Sequence, residues 1–136
     1  MERQFIPVNV ALLTISDTRT FDNDTSGKVL RERVEAENHK IVAQTIVRDD
    51  KYDIRSILSQ WIADRHIQAI ITTGGTGLTG RDGTPEAVKV LFDKDIEGFG
   101  ELFRQLSYDV IRTSTVQSRA IAGVANGTFI FCLPGS

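Results

Sequence analysis

Hydrophobic positions along this chain follow two rhythms that succeed one another three times. Residues 8–15 (VNVALLTI) are apolar with little alternation, the pattern of a strand covered on both faces. Residues 16–24 are polar and read as a loop, after which Thr25 and Ser26 open a helical pattern with Val29, Leu30 and Val34 on one side. Residues 41–47 form a second, β-branched strand candidate. Ile54, Ile57, Leu58, Trp61 and Ile62 then recur at i, i+3, i+4, i+7, i+8, the clearest amphipathic helix in the chain. A third strand, residues 68–73 (QAIITT), runs straight into a glycine-rich stretch. Thr84-Pro85 restarts a helix, with Thr as a capping residue, Pro at the first helical position, and Ala87, Val88, Leu91 and Phe92 on its buried side. A further helix is expected to carry Phe99, Leu102, Phe103, Leu106 and Val110. Last, residues 120–125 and 128–133 flank Asn126-Gly127, a strong hairpin signal.

Threefold strand–helix alternation implies an α/β, three-layer architecture: a mostly parallel sheet, helices on both faces, and one antiparallel strand from the C-terminal hairpin. At 136 residues the chain suits one domain, residues 1–136, with one core. Pro134-Gly135-Ser136 follow an apolar strand where such a fold would launch another helix, so the domain is expected to lack its C-terminal helix.

Composition narrows the function classes. Apolar residues make up 40% and charged residues 25%, as in an ordinary globular domain. A formal net charge of −2 offers no global basic field, so neither nucleic acid nor an anionic membrane is an expected partner. No apolar run approaches the ~18–20 residues of a membrane span. The N-terminal residues lack the basic and apolar succession of a secretion signal. The single cysteine, Cys132, has no disulfide partner and no zinc-ligand set around it. A reducing, cytoplasmic setting is expected.

The chemistry concentrates in residues 72–87, TTGGTGLTGRDGTPEA. Gly74, Gly75, Gly77, Gly80 and Gly83 crowd the C-terminal end of a predicted central strand, the edge where open parallel sheets bind ligands. Glycines there let backbone N–H groups surround phosphate oxygens, and Thr76, Thr79 and Thr84 add hydroxyl donors beside a helix start. Two familiar motifs fit only by spacing. Gly75, Gly77 and Gly80 match a dinucleotide fingerprint, yet Thr84-Pro85 delays the helix and no strand ends in the required later acid. The run from Gly75 to Asp82 resembles a P-loop, but Arg81 replaces the lysine and Asp82 the hydroxyl residue. This is a different anion cradle.

Acidic residues accompany it. Asp82 is either a turn-forming Asx residue or a carboxylate separated from phosphate by a cation such as Mg²⁺. Asp49-Asp50 close the second strand and read as a solvated acidic turn or as a reach to the same sheet edge. Ser16-Asp17 are a polar turn, or a site wall if the strand order places them beside the glycines.

These segments carry a family resemblance. The 72–87 run, SDT at 16–18, Thr25-Ser26-Gly27, Glu97-Gly98-Phe99-Gly100-Glu101, Ser118-Arg119-Ala120 and Leu133-Pro134-Gly135-Ser136 closely resemble the MoaB/MogA family of molybdenum cofactor biosynthesis proteins, nearer its MoaB branch. The resemblance spans nearly the whole chain, in order. It implies Mg²⁺- and ATP-dependent adenylylation of molybdopterin with release of pyrophosphate, and a hand-off to the molybdate-inserting protein. It also implies a homotrimer or hexamer. Carried over by motif, Asp82 and Asp49 are the catalytic and metal-binding carboxylates. Ser16, Asp17, Ser26, Gly74, Gly75, Thr76, Gly77, Arg81, Thr84, Ser118, Arg119, Pro134, Gly135 and Ser136 bind substrate, with Ser118 and Arg119 on the pterin side. Two other functions share the resemblance: a catalytically weak molybdopterin-binding or carrier protein, and a nucleotide pyrophosphatase. His39 and His66 read as turn histidines, Trp61 as core, Lys89, Lys94 and Arg104 as solvated, and Cys132 as buried and inert.

Overall fold

The computed structural model describes residues 7–74, 84–95 and 121–133. Their order is β1 (Asn9–Ile15), α1 (Thr25–Ala36), β2 (Lys40–Val47), α2 (Lys51–Ala63), β3 (Ala69–Thr73), α3 (Thr84–Lys89), β4 (Lys94–Asp95), β5 (Ile121–Ala125) and β6 (Thr128–Leu133). The strands form one sheet in the order β2-β1-β3-β6-β5-β4. β1 pairs in parallel with both β2 and β3, and β3 in parallel with β6. β5 returns antiparallel to β6, and the short β4 adds a second antiparallel pairing to β5. The α/β, mostly parallel sheet with a C-terminal hairpin is therefore as the hydrophobic pattern implies. β4 was not foreseen.

Strand alternation divides the core into two layers. Ala11, Leu13 and Ile15 of β1 join Ile70, Ile130 and Cys132 against Ile54, Leu58 and Trp61 of α2 and Ala87 and Val88 of α3. Val10 and Leu12 face the other way, toward Leu30 and Val34 of α1. Helices thus cover both faces, and β1 is buried from Val10 to Ile15, apolar except for Thr14, because neither of its faces meets water. Trp61 is a core residue, 8% exposed.

Each helix starts on an aspartate or on the glycine-rich stretch. Asp24 caps α1 through Gly27, and Asp50 caps α2 through Tyr52 and Asp53. α3 ends at Lys89, so Leu91 and Phe92 pack on the core from the turn that follows rather than from a longer helix. Arg55 Nε donates to the Ala87 carbonyl at 2.8 Å and ties α3 to α2. At the hairpin, Asn126 (φ 50°) and Gly127 (φ 79°) both adopt the left-handed conformation that a two-residue turn between right-twisted strands requires. The helix expected over residues 99–110 lies outside the described residues. So do Arg104 and the chain end beyond Leu133. Among the described residues no helix is long and apolar enough to cross a membrane.

Cys132 is fully buried on β6, and burial pushes its thiol up to about 12, outweighing the neighbouring Thr72 hydroxyl. The thiolate is favoured only in the unfolded chain, whose thiol titrates near 9.0. Its contribution to stability is therefore fully present below pH 9 and is lost as pH rises toward 12. A thiol-directed reagent at neutral pH is expected to leave the native protein unlabelled and to label Cys132 stoichiometrically in urea. Rapid native labelling would show the thiol accessible.

Candidate active site

Four parallel strands bring their C-terminal ends to one edge, and the connections diverge there. β1 leads through α1 to β2 on one side, whereas β3 lies on the other. The gap between β1 and β3 is the topological switch point, where open α/β sheets leave a crevice. A cleft of ≈ 150 Å³ occupies it, lined by Thr14, Ile15, Ser16, Arg19, Asp24, Ser26, Thr73 and Gly74.

The turn after β1 is built around Ser16. Its backbone N–H donates to the Val47 carbonyl at 2.9 Å, prolonging the β1–β2 pairing by one residue. Its Oγ accepts the N–H groups of Thr18 (3.2 Å) and Arg19 (3.1 Å), which fixes the direction of the following loop. Asp17 then reaches sideways: its Oδ1 accepts the Asp49 N–H at 3.1 Å. Asp17 and Asp49 therefore stand together at the ends of β1 and β2. Asp50, the next residue, belongs to α2 instead. Its Oδ1 accepts from Tyr52 N (2.8 Å) and Asp53 N (3.0 Å), and these bonds, led by that from Asp53, hold its carboxyl below the usual range. The two neighbouring aspartates thus have different work, one at the sheet edge and one on a helix cap.

The floor of the cleft is a buried polar pair. Asp24, 3% exposed, accepts from the Thr14 hydroxyl at 2.5 Å and from Gly27 N at 3.0 Å. A polar side chain this deep is accommodated because these donors replace its water. It binds the start of α1 to the end of β1 and so sets the width of the cleft, with Ser26 on the helix side. Asp24→Ala is expected to lower stability by about 2–3 kcal/mol, combining a lost cap with an orphaned Thr14 hydroxyl. Urea denaturation checks this; a loss near zero would mean the pair is not structural.

The opposite wall is Thr73 and Gly74. Gly74 has φ +97°, and its N–H donates to the Leu133 carbonyl at 3.2 Å. A Cβ placed there would lie 2.3 Å from the Ile15 carbonyl oxygen, so the β1 and β3 ends approach as closely as only glycine permits.

The described residues therefore gather Ser16, Ser26 and Gly74 around one cleft and set Asp17 and Asp49 beside it. Thr84 opens α3, and its side chain lies outside the described residues. Gly75, Thr76, Gly77, Arg81, Asp82, Ser118, Arg119, Pro134, Gly135 and Ser136 lie outside them as well. Five lining residues were not singled out from sequence: Thr14, Ile15, Arg19, Asp24 and Thr73. Asp24 carried one usable signal, a capping side chain three residues before Gly27 at the head of a helical pattern.

The donors at this edge are carboxylates and hydroxyls, the hard oxygen set that suits Mg²⁺ and not the nitrogen and sulfur set of zinc. Among the described residues no three acidic, histidine or cysteine side chains converge to hold a metal. Mg²⁺ bound with phosphates needs only one or two carboxylates, so Asp49 fits as a contributor.

Comparison with known proteins places these features in context. Residues 11–136 match the family described as "Probable molybdopterin binding domain". Molybdenum cofactor biosynthesis protein B of Escherichia coli K12 is 51% identical over 133 residues, covering 98% of this chain and 78% of the relative. A crystal structure of a Molybdenum cofactor biosynthesis protein B superposes with TM-score 0.86 at 42% identity, covering 98% of this chain and 84% of the other. The tungsten cofactor synthesizing protein MoaB from Pyrococcus furiosus superposes with TM-score 0.76 at 37% identity, covering 96% and 83%.

Proposed function

Because the chain belongs to the molybdopterin-binding domain family of molybdenum cofactor biosynthesis proteins, we propose that it adenylylates molybdopterin at the β1–β3 edge. An oxygen of the pterin's terminal phosphate attacks the α-phosphorus of ATP. The bond from that phosphorus to the β-phosphate bridging oxygen breaks, and pyrophosphate leaves. The observation that carries this reading is the oxygen-lined cleft of Ser16, Ser26, Thr73 and Gly74 at the switch point, where the glycine-rich run begins.

In-line transfer between phosphates asks little covalent chemistry of a protein, and positioning and charge neutralisation supply most of the rate. Backbone N–H groups of Gly75 and Gly77, with the Thr76 hydroxyl, cradle phosphate oxygens beside Gly74, whose lack of a side chain lets the ligand approach. Arg81 balances their charge, and Ser118 and Arg119 orient the pterin. Thr84, Pro134, Gly135 and Ser136 contribute further substrate contacts. Asp82 and Asp49 would hold Mg²⁺, which would supply positive charge against the triphosphate and the departing pyrophosphate. Asp17 accepts the Asp49 N–H and so fixes the Asp49 backbone at the sheet edge. The adenylylated pterin passes to the molybdate-inserting protein, and the chain assembles as a trimer or hexamer.

Incubation with α-labelled ATP, Mg²⁺ and molybdopterin, followed by chromatography of the pterin, tests the reading. Label on the pterin is the expected result. Tight pterin binding without label would make this a carrier, and nucleotide cleavage without pterin would make it a pyrophosphatase.

A further inference from the structure

Among the described residues lining the cleft, Arg19 is the only cationic side chain, and its surroundings hold it there. The Ser16 hydroxyl accepts its backbone N–H at 3.1 Å, orienting the residue from the end of β1. Its Nη1 donates to the Asn23 carbonyl at 2.8 Å, laying the guanidinium across the loop. Thr20 N donates to Asn23 Oδ1 at 2.7 Å and Asn23 N to the Thr20 carbonyl at 3.2 Å, so that the loop is closed on itself beneath the arginine.

Among the described residues, the ion pairs Arg31–Glu35 and Arg48–Asp53 lie away from the cleft and do not involve Arg19. Asp24, the carboxylate in the cleft wall, is engaged by Thr14 and Gly27 instead. Among the described residues one guanidinium N–H is committed to Asn23, and the planar fork that carries it matches two oxygens of one phosphoryl group.

We propose that Arg19 is the phosphate-gripping side chain of this cleft and sets its preference for a phosphorylated ligand. The proposal rests on the reading that the cleft receives such a ligand. The phosphoryl group belongs either to the nucleotide or to the terminal phosphate of the pterin, and the experiment separates the two. Arg19 acts through binding: the guanidinium exchanges water for phosphate oxygens and transfers no proton, its charge being permanent.

Arg19→Gln and Arg19→Lys in the full chain provide the test. Gln keeps N–H donors and loses the charge, whereas Lys keeps the charge and loses the fork. Arg19→Gln is expected to raise KM for one substrate by about ten- to hundredfold, with a much smaller change in kcat, and Arg19→Lys to recover part of it. A rise confined to ATP assigns the nucleotide, and one confined to molybdopterin assigns the pterin. Direct titration with inorganic pyrophosphate is independent of transfer. Wild-type binding is expected to weaken with salt, and Arg19→Gln to weaken the binding and flatten that dependence. An inactive wild-type protein would defeat the adenylylation reading, and the pyrophosphate titration would still decide the role of Arg19. Unchanged KM for both substrates, equal losses in the two variants, or wild-type protein that binds no pyrophosphate would each overturn the proposal.

Discussion

Asp82→Asn is expected to reduce adenylyl transfer by about 10²–10³-fold or more, and Asp82→Ala to abolish it, both with unchanged thermal melting. Asp82 sits in a run of glycines and threonines suited to phosphate, where an ionised carboxylate repels the ligand unless a cation lies between them. Asparagine keeps the hydrogen-bonding oxygen that forms an Asx turn and removes the charge, so it separates the two readings of this residue. If the carboxylate holds Mg²⁺, the residual activity of Asp82→Asn requires a higher Mg²⁺ concentration. Full activity at the wild-type Mg²⁺ requirement would reduce Asp82 to a turn residue. The melting control is informative because the described core closes through β1, β3, β6 and the three helices.

Gly74→Ala is expected to lower stability by about 3 kcal/mol and to lose ligand binding in what remains folded. A methyl group there meets the Ile15 carbonyl oxygen at 2.3 Å, and that atom is backbone with no rotamer to retreat into. The residue must also hold φ +97° while donating to Leu133. Relief comes only by parting β1 from β3, which widens the cleft between Ser16 and Thr73. Gly127→Ala is the matched comparison: φ is +79°, but nothing lies within 4 Å of an added Cβ. Its cost is expected to stay near the ~1 kcal/mol of a left-handed alanine. Equal losses in the two variants, measured by urea denaturation, would show that the strand contact at Gly74 contributes nothing.

How much of this could be read from residues alone follows from which interactions are local. β1, β2, β3, α2 and the Asn126-Gly127 hairpin each declare themselves in a short window, because burial periodicity and turn chemistry act within a few residues. β4 escaped notice since Lys94 and Asp95 carry no strand pattern; they pair because Asp93 meets the hairpin, with Asn126 N donating to its Oδ2 at 2.7 Å. The length of α3 was overread for a related reason: Leu91 and Phe92 are core residues, and apolar spacing does not distinguish a helix from the turn after it.

At the site, the glycine-rich run was visible as composition, whereas the cleft was not. Thr14 and Asp24 are ten residues apart, one apolar-strand threonine and one loop aspartate, and only the fold of α1 back onto β1 makes them a buried pair. Asp49 and Asp50 look interchangeable in sequence. Strand register separates them, sending one to Asp17 and the other to the α2 cap. The MoaB/MogA resemblance points to Asp49 by motif, and the structure places its backbone N–H against Asp17 at the sheet edge.

Pyrophosphate release, followed as a function of added molybdopterin at saturating Mg²⁺ and ATP, tests the central claim most directly. The account predicts no release without the pterin, and release matched mole for mole by adenylylated pterin once it is added. Release in the absence of pterin, or pterin bound with no pyrophosphate formed, would contradict it.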